Sequence, residues 1–221
     1  MKHSRATTFV LALAIVLASG GLSCGGSSSP SELPDPTVAP HPTNAAGDPY
    51  PAAGIGNQIG QIVPNLSFSG YPDSNRAGGL VNVSLADYYD PKATDHRLLY
   101  VTVSATWCSR CISEAAEMGT DAPIDRPQGV RFLEVLIAGA TSGYGPSQSE
   151  LDDWVSQKET AWTVVADVRG RRMSGQLGLS GVPSSMLIDT RTMEIIHASA
   201  GAPDDLQAYV KQGLDWIAAH P

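Results

Sequence analysis

The sequence predicts an α/β fold in which a central mixed β-sheet is flanked by helices. Two apolar, β-branched runs, at residues 97–104 and 129–138, have the composition of strands that are covered on both faces. Residues 204–219 carry apolar side chains at helical spacing. Two further apolar runs, at residues 184–188 and 193–199, are separated by a short polar turn and predict an antiparallel hairpin. Strands that alternate with helices are typical of a sheet with helices on both faces.

The segment before residue 97 predicts an N-terminal β-hairpin extension of this sheet. We expect a first strand within residues 60–70 and a second at residues 80–83, after the turn signal Gly78-Gly79. Ser84 and Asp87 have the spacing of a capping box and predict a helical turn. The other predicted elements are helices at residues 108–118, 147–158 and 171–177 and a strand at residues 162–166.

Composition limits the classes of function. The 221 residues carry a net charge of -8, and no cluster of Lys and Arg could follow a phosphate backbone, so we expect no nucleic-acid partner. Three cysteines are too few for a disulfide scaffold, and their odd number gives one of them a separate role. A hydrophobic content of 42% is sufficient for a packed core.

The N-terminus predicts export. Residues 1–23 read as a signal peptide, in which Lys2 and Arg5 precede an apolar run at residues 9–18 that is too short to span a bilayer. The sequence around Cys24 resembles a bacterial lipobox, which implies lipidation of this cysteine and a cell-envelope lipoprotein on the outer face of a membrane. The alternative is cleavage after Gly20, which would leave Cys24 as a free thiol.

A tether is predicted after the signal peptide. Residues 24–54 are rich in Pro, Ser, Gly and Ala and have few large apolar side chains. Such a segment cannot bury enough surface to offset its ordering entropy, so we expect a disordered, fairly extended spacer. One folded domain is then predicted at residues 55–221.

Two cysteines open the predicted helix at residues 108–118. Cys108 and Cys111 are separated by two residues, and one helical turn places both sulfurs on the same side. They can therefore close a disulfide or open to two thiols with little backbone movement. The free N–H groups and the positive dipole end of the helix favour the thiolate form of Cys108. This arrangement indicates thiol–disulfide exchange.

Half of a zinc site is the alternative interpretation of the two cysteines. Such a site needs two more Cys or His ligands at close spacing. The strand–Cys-x-x-Cys–helix context in an exported chain favours redox use, and we expect neither a metal nor a cofactor. The five histidines include no pair with the required spacing: His3, His41, His96, His197 and His220.

The stretch at residues 105–111, with Glu114 three residues beyond it, resembles the active site of the thioredoxin superfamily. It is most similar to the TlpA/ResA group of exported, membrane-tethered thiol–disulfide oxidoreductases. The resemblance covers residues 55–219 and implies a thioredoxin-like fold. It also implies that the partners are protein dithiols or disulfides of the cell envelope. The implied direction is reduction of protein disulfides, as in cytochrome c maturation. An upstream electron donor or acceptor is implied as well. We expect a monomer.

The two cysteines are expected to have different roles. Cys108 is the predicted nucleophile, because it should be nearest the helix dipole and the more exposed of the two. Cys111 is the predicted resolving thiol, buried behind Cys108. Trp107 precedes the nucleophile, as it does across the superfamily, and should offer an apolar landing surface to a partner.

A second signature lies at Val182-Pro183, just before the apolar run at residues 184–188. In thioredoxin-like proteins the matching proline has a cis peptide bond and lies against the active-site disulfide. The resemblance therefore implies that the Val182 backbone faces a substrate chain and pairs with it as a strand. A proline that simply begins a strand is the alternative.

Two charged residues in the predicted helix bear on reactivity. Proteins like ResA carry a Glu at the position of Glu114, which tunes the cysteine pKa values; a solvated surface carboxylate is the alternative interpretation. The buried Asp of thioredoxin corresponds here to Thr102, so a carboxylate role would fall to Glu114. Arg110 replaces the common proline between the cysteines, and a cation there should favour thiolate and shift the couple toward oxidation.

Two other functions compete with thiol–disulfide exchange between proteins. A peroxidase of the peroxiredoxin type needs Thr three residues before its cysteine, and that position is Ala105. A copper-handling module of the Sco type combines two cysteines with a distant His, for which His197 is the candidate. The usual Sco spacing has three residues between the cysteines, whereas Cys108 and Cys111 have two.

Overall fold

The computed structural model describes most of the chain from residue 39 onward. The predicted signal peptide, Cys24 and nearly all of the predicted tether before residue 39 lie outside the described residues. The described residues are 33, 39–140, 145–158, 160–168, 171–179 and 181–221.

Strands and helices alternate along the described chain, as the sequence predicts. The strands are β1 (Ser67–Tyr71), β2 (Val81–Ser84), β3 (Leu98–Ala105), β4 (Val130–Ala138), β5 (Thr163–Ala166), β6 (Ser184–Asp189) and β7 (Glu194–Ala200). The helices are α1 (Ser109–Asp125), α2 (Gln148–Gln157), α3 (Arg171–Leu177) and α4 (Leu206–Ala219), with short 3-10 turns at Pro72–Ser74, Arg76–Gly78, Leu85–Tyr88 and Arg126–Gln128.

The strands form one mixed sheet in the order β2-β1-β5-β4-β3-β6-β7. The central strand β3 runs parallel to β4 and antiparallel to β6. The predicted N-terminal hairpin is present as β1 and β2, and β1 also pairs with β5, so the hairpin extends the main sheet. The predicted C-terminal hairpin is present as β6 and β7.

Both faces of the sheet are covered, because alternate side chains along a strand point to opposite faces. On one face, Leu98 and Tyr100 of β3 belong to the apolar layer that α1, α2 and α4 complete. On the other face, Leu99 and Val101 belong to the layer that includes α3 and the 3-10 turn at Leu85–Tyr88. The near-continuous apolar run of β3 follows from this double burial.

Helix α1 is longer than predicted. It continues to Asp125, beyond the predicted end near residue 118, and includes Pro123. Met118 and Ala122 are fully buried, so the apolar stripe that packs on the sheet continues into the last turns of the helix. Tertiary packing therefore sustains the helix where local sequence signals suggested its end.

Residues 39–54 differ from the predicted spacer because they lie on the domain through defined polar contacts. The His41 N–H donates to Ser84 Oγ at 3.0 Å, and Asn44 Nδ2 donates to the Tyr89 carbonyl at 2.8 Å. The Tyr50 hydroxyl donates to the Val63 carbonyl at 2.7 Å. These hydrogen bonds hold a segment whose composition offers little apolar surface. The packed part of the chain thus includes residues before the predicted boundary at residue 55.

Among the described residues, no helix combines the length and apolar character needed to cross a bilayer.

Candidate active site

The two cysteines lie at the junction between β3 and α1, and their sulfurs are joined in a disulfide with a Cα–Cα distance of 5.2 Å. Cys108 is the N-cap of α1 rather than its first residue, with an extended backbone. The Cys111 backbone N–H donates to Cys108 Sγ at 3.1 Å. An N–H of the first helical turn, at the positive end of the helix dipole, thus points at the sulfur of Cys108. Both effects favour a thiolate there after reduction.

The two sulfurs differ in access. Cys108 is 7% exposed and Cys111 is 0% exposed, so an approaching partner meets Cys108 first. Trp107, immediately before it, is 61% exposed. A large apolar side chain in water next to a reachable sulfur fits a surface on which a partner docks.

The Val182–Pro183 peptide bond is cis, as the sequence resemblance implied. Ser184 pairs with Val103 across the antiparallel β3–β6 ladder, so Pro183 lies at the end of β3 from which the chain continues to the cysteines. Val182 is partly buried and packs against the same apolar layer that contains Cys108. The sheet therefore brings the two sequence signatures to one end of the domain.

Arg110, between the cysteines, is held by two partners. Its guanidinium donates to the Pro203 carbonyl at 2.8 Å and forms an ion pair with Glu117 at 3.3 Å. These contacts link α1 to the loop before α4 and offset part of the positive charge. The shift of the cysteine couple toward oxidation stays a prediction.

Glu114 is buried, with 1% exposure, so it is not the solvated carboxylate of the alternative interpretation. Its Oε1 accepts hydrogen bonds from the Tyr100 hydroxyl and, at 3.2 Å, from Ser185 Oγ. Within the described residues, its Oε2 has no hydrogen-bond partner. Burial raises the pKa of Glu114, while the hydroxyls of Tyr100, Thr102 and Ser185 and the charge of Arg110 oppose that rise.

A second buried carboxyl group, Glu134 on β4, was missed by the sequence analysis. It is 0% exposed and lies in register with Thr102 of β3. A Glu in the middle of an otherwise apolar strand, predicted to be covered on both faces, was the available signal, because buried carboxyl groups are rare without a partner or a function.

The partners of Glu134 are two indoles. Trp154 Nε1 and Trp162 Nε1 donate to its Oε2 at 3.0 and 3.1 Å. Both tryptophans are buried in the apolar layer on this face of the sheet. Burial raises the pKa of Glu134 to about 7, the charge of Glu114 adds to the rise, and the two indoles oppose it.

The geometry gives no support to the copper-binding alternative. His197 lies on β7, where its ring contacts the Tyr209 ring at a centroid distance of 5.7 Å. It pairs with Leu187 of β6, well before the cysteines along the sheet. Within the residues that the structure covers, no group of three or more His, Cys, Asp or Glu side chains could hold a metal ion.

No protein-family model matches the chain, and no curated protein matches its sequence. Solved structures do match. The thioredoxin domain of a thiol-disulfide oxidoreductase from Bacteroides vulgatus has a TM-score of 0.54 and 16% identity, with 70% of this chain and 96% of that one covered. A thiol-disulfide oxidoreductase from Bacteroides fragilis has a TM-score of 0.50 and 15% identity, with 69% and 98% covered.

AhpC from Enterococcus faecalis also matches, with a TM-score of 0.56, 13% identity, and 74% of this chain and 96% of that one covered. Similarity at these levels of identity shows the fold. The chain therefore has the predicted thioredoxin-like fold, in which its cysteine pair occupies the junction between the central strand and the first helix.

We expect Glu134→Gln to change how stability depends on pH. From its ordinary pKa of 4.5 up to about 7, Glu134 keeps its proton in the folded protein and loses it in the unfolded chain. This carboxyl group therefore lowers the free energy of unfolding as pH rises through that window. Gln has no such ionisation. The free energy of unfolding of the variant, minus that of the wild type, should rise by roughly 3 kcal/mol across the window.

Urea unfolding between pH 4 and 8 measures this difference. Asp153→Asn, which removes an exposed carboxylate on α2, is the control and should follow the wild-type curve. A Glu134→Gln difference that stays constant with pH would show that Glu134 does not titrate in this range.

Proposed function

We propose that this protein is a thiol–disulfide oxidoreductase that exchanges its Cys108–Cys111 disulfide with protein partners through a mixed disulfide. The observation that carries the proposal is the closed disulfide at the N-terminus of α1, with one sulfur reachable and the other fully buried. This asymmetry supports a nucleophile that meets the partner and a resolving thiol that meets only the nucleophile.

The exchange begins from the reduced protein. The Cys108 thiolate attacks one sulfur of a partner disulfide, a Cys108–partner bond forms, and the partner's S–S bond breaks. The displaced partner sulfur leaves as a thiolate and takes a proton from solvent. Cys111 then loses its proton and attacks Cys108 Sγ, which re-forms the Cys108–Cys111 disulfide. The second partner thiolate leaves and is protonated, so two electrons pass to the partner.

Glu114 is the group we assign as acceptor of the Cys111 proton. It follows Cys111 by three residues and so lies on the same face of α1. Both side chains are buried, where water cannot easily take the proton. The hydrogen bonds from Tyr100 and Ser185 stabilise the charged form of Glu114 that accepts it.

We assign the partner-binding surface to Trp107, Val182 and Pro183. Trp107 provides exposed apolar area, and Ile112 on the first turn of α1 is a further exposed apolar side chain, at 37%. Val182 lies two residues before β6, where an extended segment of a partner can pair with its backbone. Protein dithiols and disulfides of the cell envelope fit such a surface, and the protein can act on them as a monomer.

Reduction of partner disulfides is the proposed direction, as the sequence resemblance to the TlpA/ResA group implies, and an electron donor must then restore the dithiol. The engagement of Arg110 by Glu117 and Pro203 supports this direction, since it reduces the stabilisation of the thiolate that would make the couple oxidising. The predicted signal peptide and the predicted lipidation of Cys24 support a location on the extracytoplasmic side of a membrane, as a lipoprotein.

We expect Cys111→Ser to trap mixed disulfides. Cys108 remains free to attack, but no thiol is present to resolve the adduct. Incubation of the reduced variant with oxidised glutathione or with insulin, followed by mass spectrometry, should show an adduct on Cys108 that approaches one per molecule. Cys108→Ser is the matched control and should form at least about tenfold less adduct in the same time, because Cys111 is buried. Adducts on Cys108→Ser but not on Cys111→Ser would reverse the two roles.

The reduction potential of the Cys108–Cys111 couple tests the direction. Equilibration with glutathione buffers should give a value nearer that of thioredoxin, roughly -270 mV, than that of the oxidase DsbA, roughly -120 mV. The second result would make the protein an oxidant of partner dithiols and overturn the proposed direction while leaving the exchange chemistry intact.

Membrane attachment is tested at Cys24. The wild-type chain, expressed in a bacterium that processes lipoproteins, should partition into the detergent phase of a Triton X-114 extract. Cys24→Ala removes the acceptor of the lipid and should move the protein to the aqueous phase. Equal partitioning of the two proteins would contradict lipidation and leave Cys24 as an ordinary thiol.

A further inference from the structure

A row of polar side chains crosses the middle of the sheet beneath α1. Glu134 of β4, Thr102 of β3 and Ser185 of β6 occupy paired positions on neighbouring strands, so they point to the same face. All three are buried. Glu114 of α1 reaches this row and accepts a hydrogen bond from Ser185. Two carboxyl groups therefore share one buried polar cluster, with the position of Thr102 between Glu134 and Ser185.

Glu134 has one occupied and one free oxygen. Its Oε2 accepts both indole N–H groups, whereas its Oε1 has no hydrogen-bond partner within the described part of the chain. Indole N–H groups only donate, so they fit either the carboxylate or the carbonyl oxygen of a neutral carboxyl group. A free, buried Oε1 can carry the proton of the neutral form without breaking either bond.

The charges around Glu134 are few. Among the neighbouring acidic groups of α2, Glu150 binds backbone N–H groups at the start of its own helix and Asp152 accepts from Tyr71, while β5 contributes the apolar Val164 in register. Further titratable or charged groups on the described elements that pack here include Glu114 and Arg110 on α1, Tyr100 on β3, Tyr209 on α4 and Lys158 at the end of α2.

We propose that Glu134 and Glu114 act as one carboxyl pair beneath the active-site helix, in which Glu134 holds the proton and so leaves Glu114, on the same helix face as Cys111, as the ionised member. Glu134 is in this sense a positioning residue: it acts on the cysteines through the charge that it carries or lacks. Two carboxylates in one buried cluster repel each other, so one of them retains a proton while the other is ionised.

The surroundings decide which member is neutral. The pKa of Glu134 is raised to about 7, mainly by burial and in smaller part by the charge of Glu114, against the opposing effect of its donors Trp154, Trp162 and Ser104. The pKa of Glu114 is also raised by burial, but hydroxyl donors and the nearby Arg110 cation oppose that rise. Glu134 has no cation among these influences. The proton of the pair therefore resides on Glu134, and it is released as the pH passes neutrality.

This release changes the electrostatics of the cysteines. While Glu134 keeps its proton, the pair carries at most one negative charge, on Glu114. Above neutral pH the ionised Glu134 adds a second one, which opposes the formation of a thiolate and raises the pKa of Cys111. The fraction of Cys111 present as thiolate therefore depends on the ionisation of Glu134 as well as on that of Cys111 itself.

The inference rests on the proposed thiol–disulfide exchange, and its test is separate from that of the exchange. The reduced full-length chain, labelled with 13C at the cysteine β-carbons, is titrated by NMR from pH 5 to 10. In the wild type, the chemical shift of the Cys111 β-carbon should change in a step near pH 7, at lower pH than the ionisation of Cys111 itself. In Glu134→Gln, which still accepts both indole N–H groups, the step should be absent.

The size of the change at Cys111 follows from the negative charge that Glu134→Gln removes. At pH values where Cys111 titrates, its thiolate-to-thiol ratio should be roughly three- to tenfold higher in Glu134→Gln than in the wild type, which corresponds to about half to one unit in pKa. A purely structural role of Glu134 would leave the curve unchanged, because the hydrogen bonds of the isosteric Gln hold the same tryptophans.

Two further variants keep the test decisive. Asp125→Asn removes another buried carboxyl group, at the far end of α1, and should leave the step and the Cys111 ratio as in the wild type. Trp162→Phe keeps Glu134 but removes one donor to its Oε2, so the step should move to higher pH. This variant reports on the pair even if Glu134→Gln does not fold.

The results separate the two proposals. A step that persists in Glu134→Gln, or a Trp162→Phe curve identical to that of the wild type, would overturn the carboxyl pair while exchange through Cys108 could still be demonstrated by the adducts. Failure of the wild type to form any mixed disulfide would instead overturn the proposed function.

Discussion

The junction between β3 and α1 is the constraint on which the site depends. β3 is held on both sides, by β4 and by β6, and is covered on both faces, so its end is fixed in position. The turn that follows is closed by the bond from the Cys108 N–H to the Ala105 carbonyl at 3.0 Å. Cys108 therefore begins the helix where the strand ends, and the helix brings its N–H groups to the sulfur. A flexible connection would leave the same residues without this electrostatic setting.

Beneath this junction the core contains buried polar groups that the stability of the sheet does not require. Removing carboxyl groups from water is costly, and well-packed apolar residues of the same volume are often at least as stable. Glu114 and Glu134 are nevertheless both buried, and four donors, from Tyr100, Ser185, Trp154 and Trp162, are directed at them. The four donors come from β3, β6, α2 and the residue before β5, all on one face of the sheet. These donors oppose only part of the effect of burial, so the pKa of both carboxyl groups stays raised, that of Glu134 to about 7.

Local signals in the sequence predicted the parts of this structure that depend on near neighbours. The apolar runs located β3, β4 and the C-terminal hairpin, the capping box at Ser84 is present, and the cysteine spacing placed both sulfurs at a helix N-terminus. The failures have non-local causes. The length of α1 depends on apolar contacts with the sheet, and residues 39–54 are held by hydrogen bonds to residues 13 to 45 positions away, which composition does not reveal.

The same distinction explains why the sequence analysis predicted a role for Glu114 and missed Glu134. The spacing of Glu114 from Cys111 gives the face of the helix, but not what that face meets. The answer depends on register: Thr102 pairs with Glu134 on one side and with Ser185 on the other, and no local pattern specifies these pairings. Once the register is known, the acidic residue in an apolar strand is no longer an isolated anomaly. It belongs to the same polar row that Glu114 reaches through Ser185, which is why we propose that the two carboxyl groups titrate together.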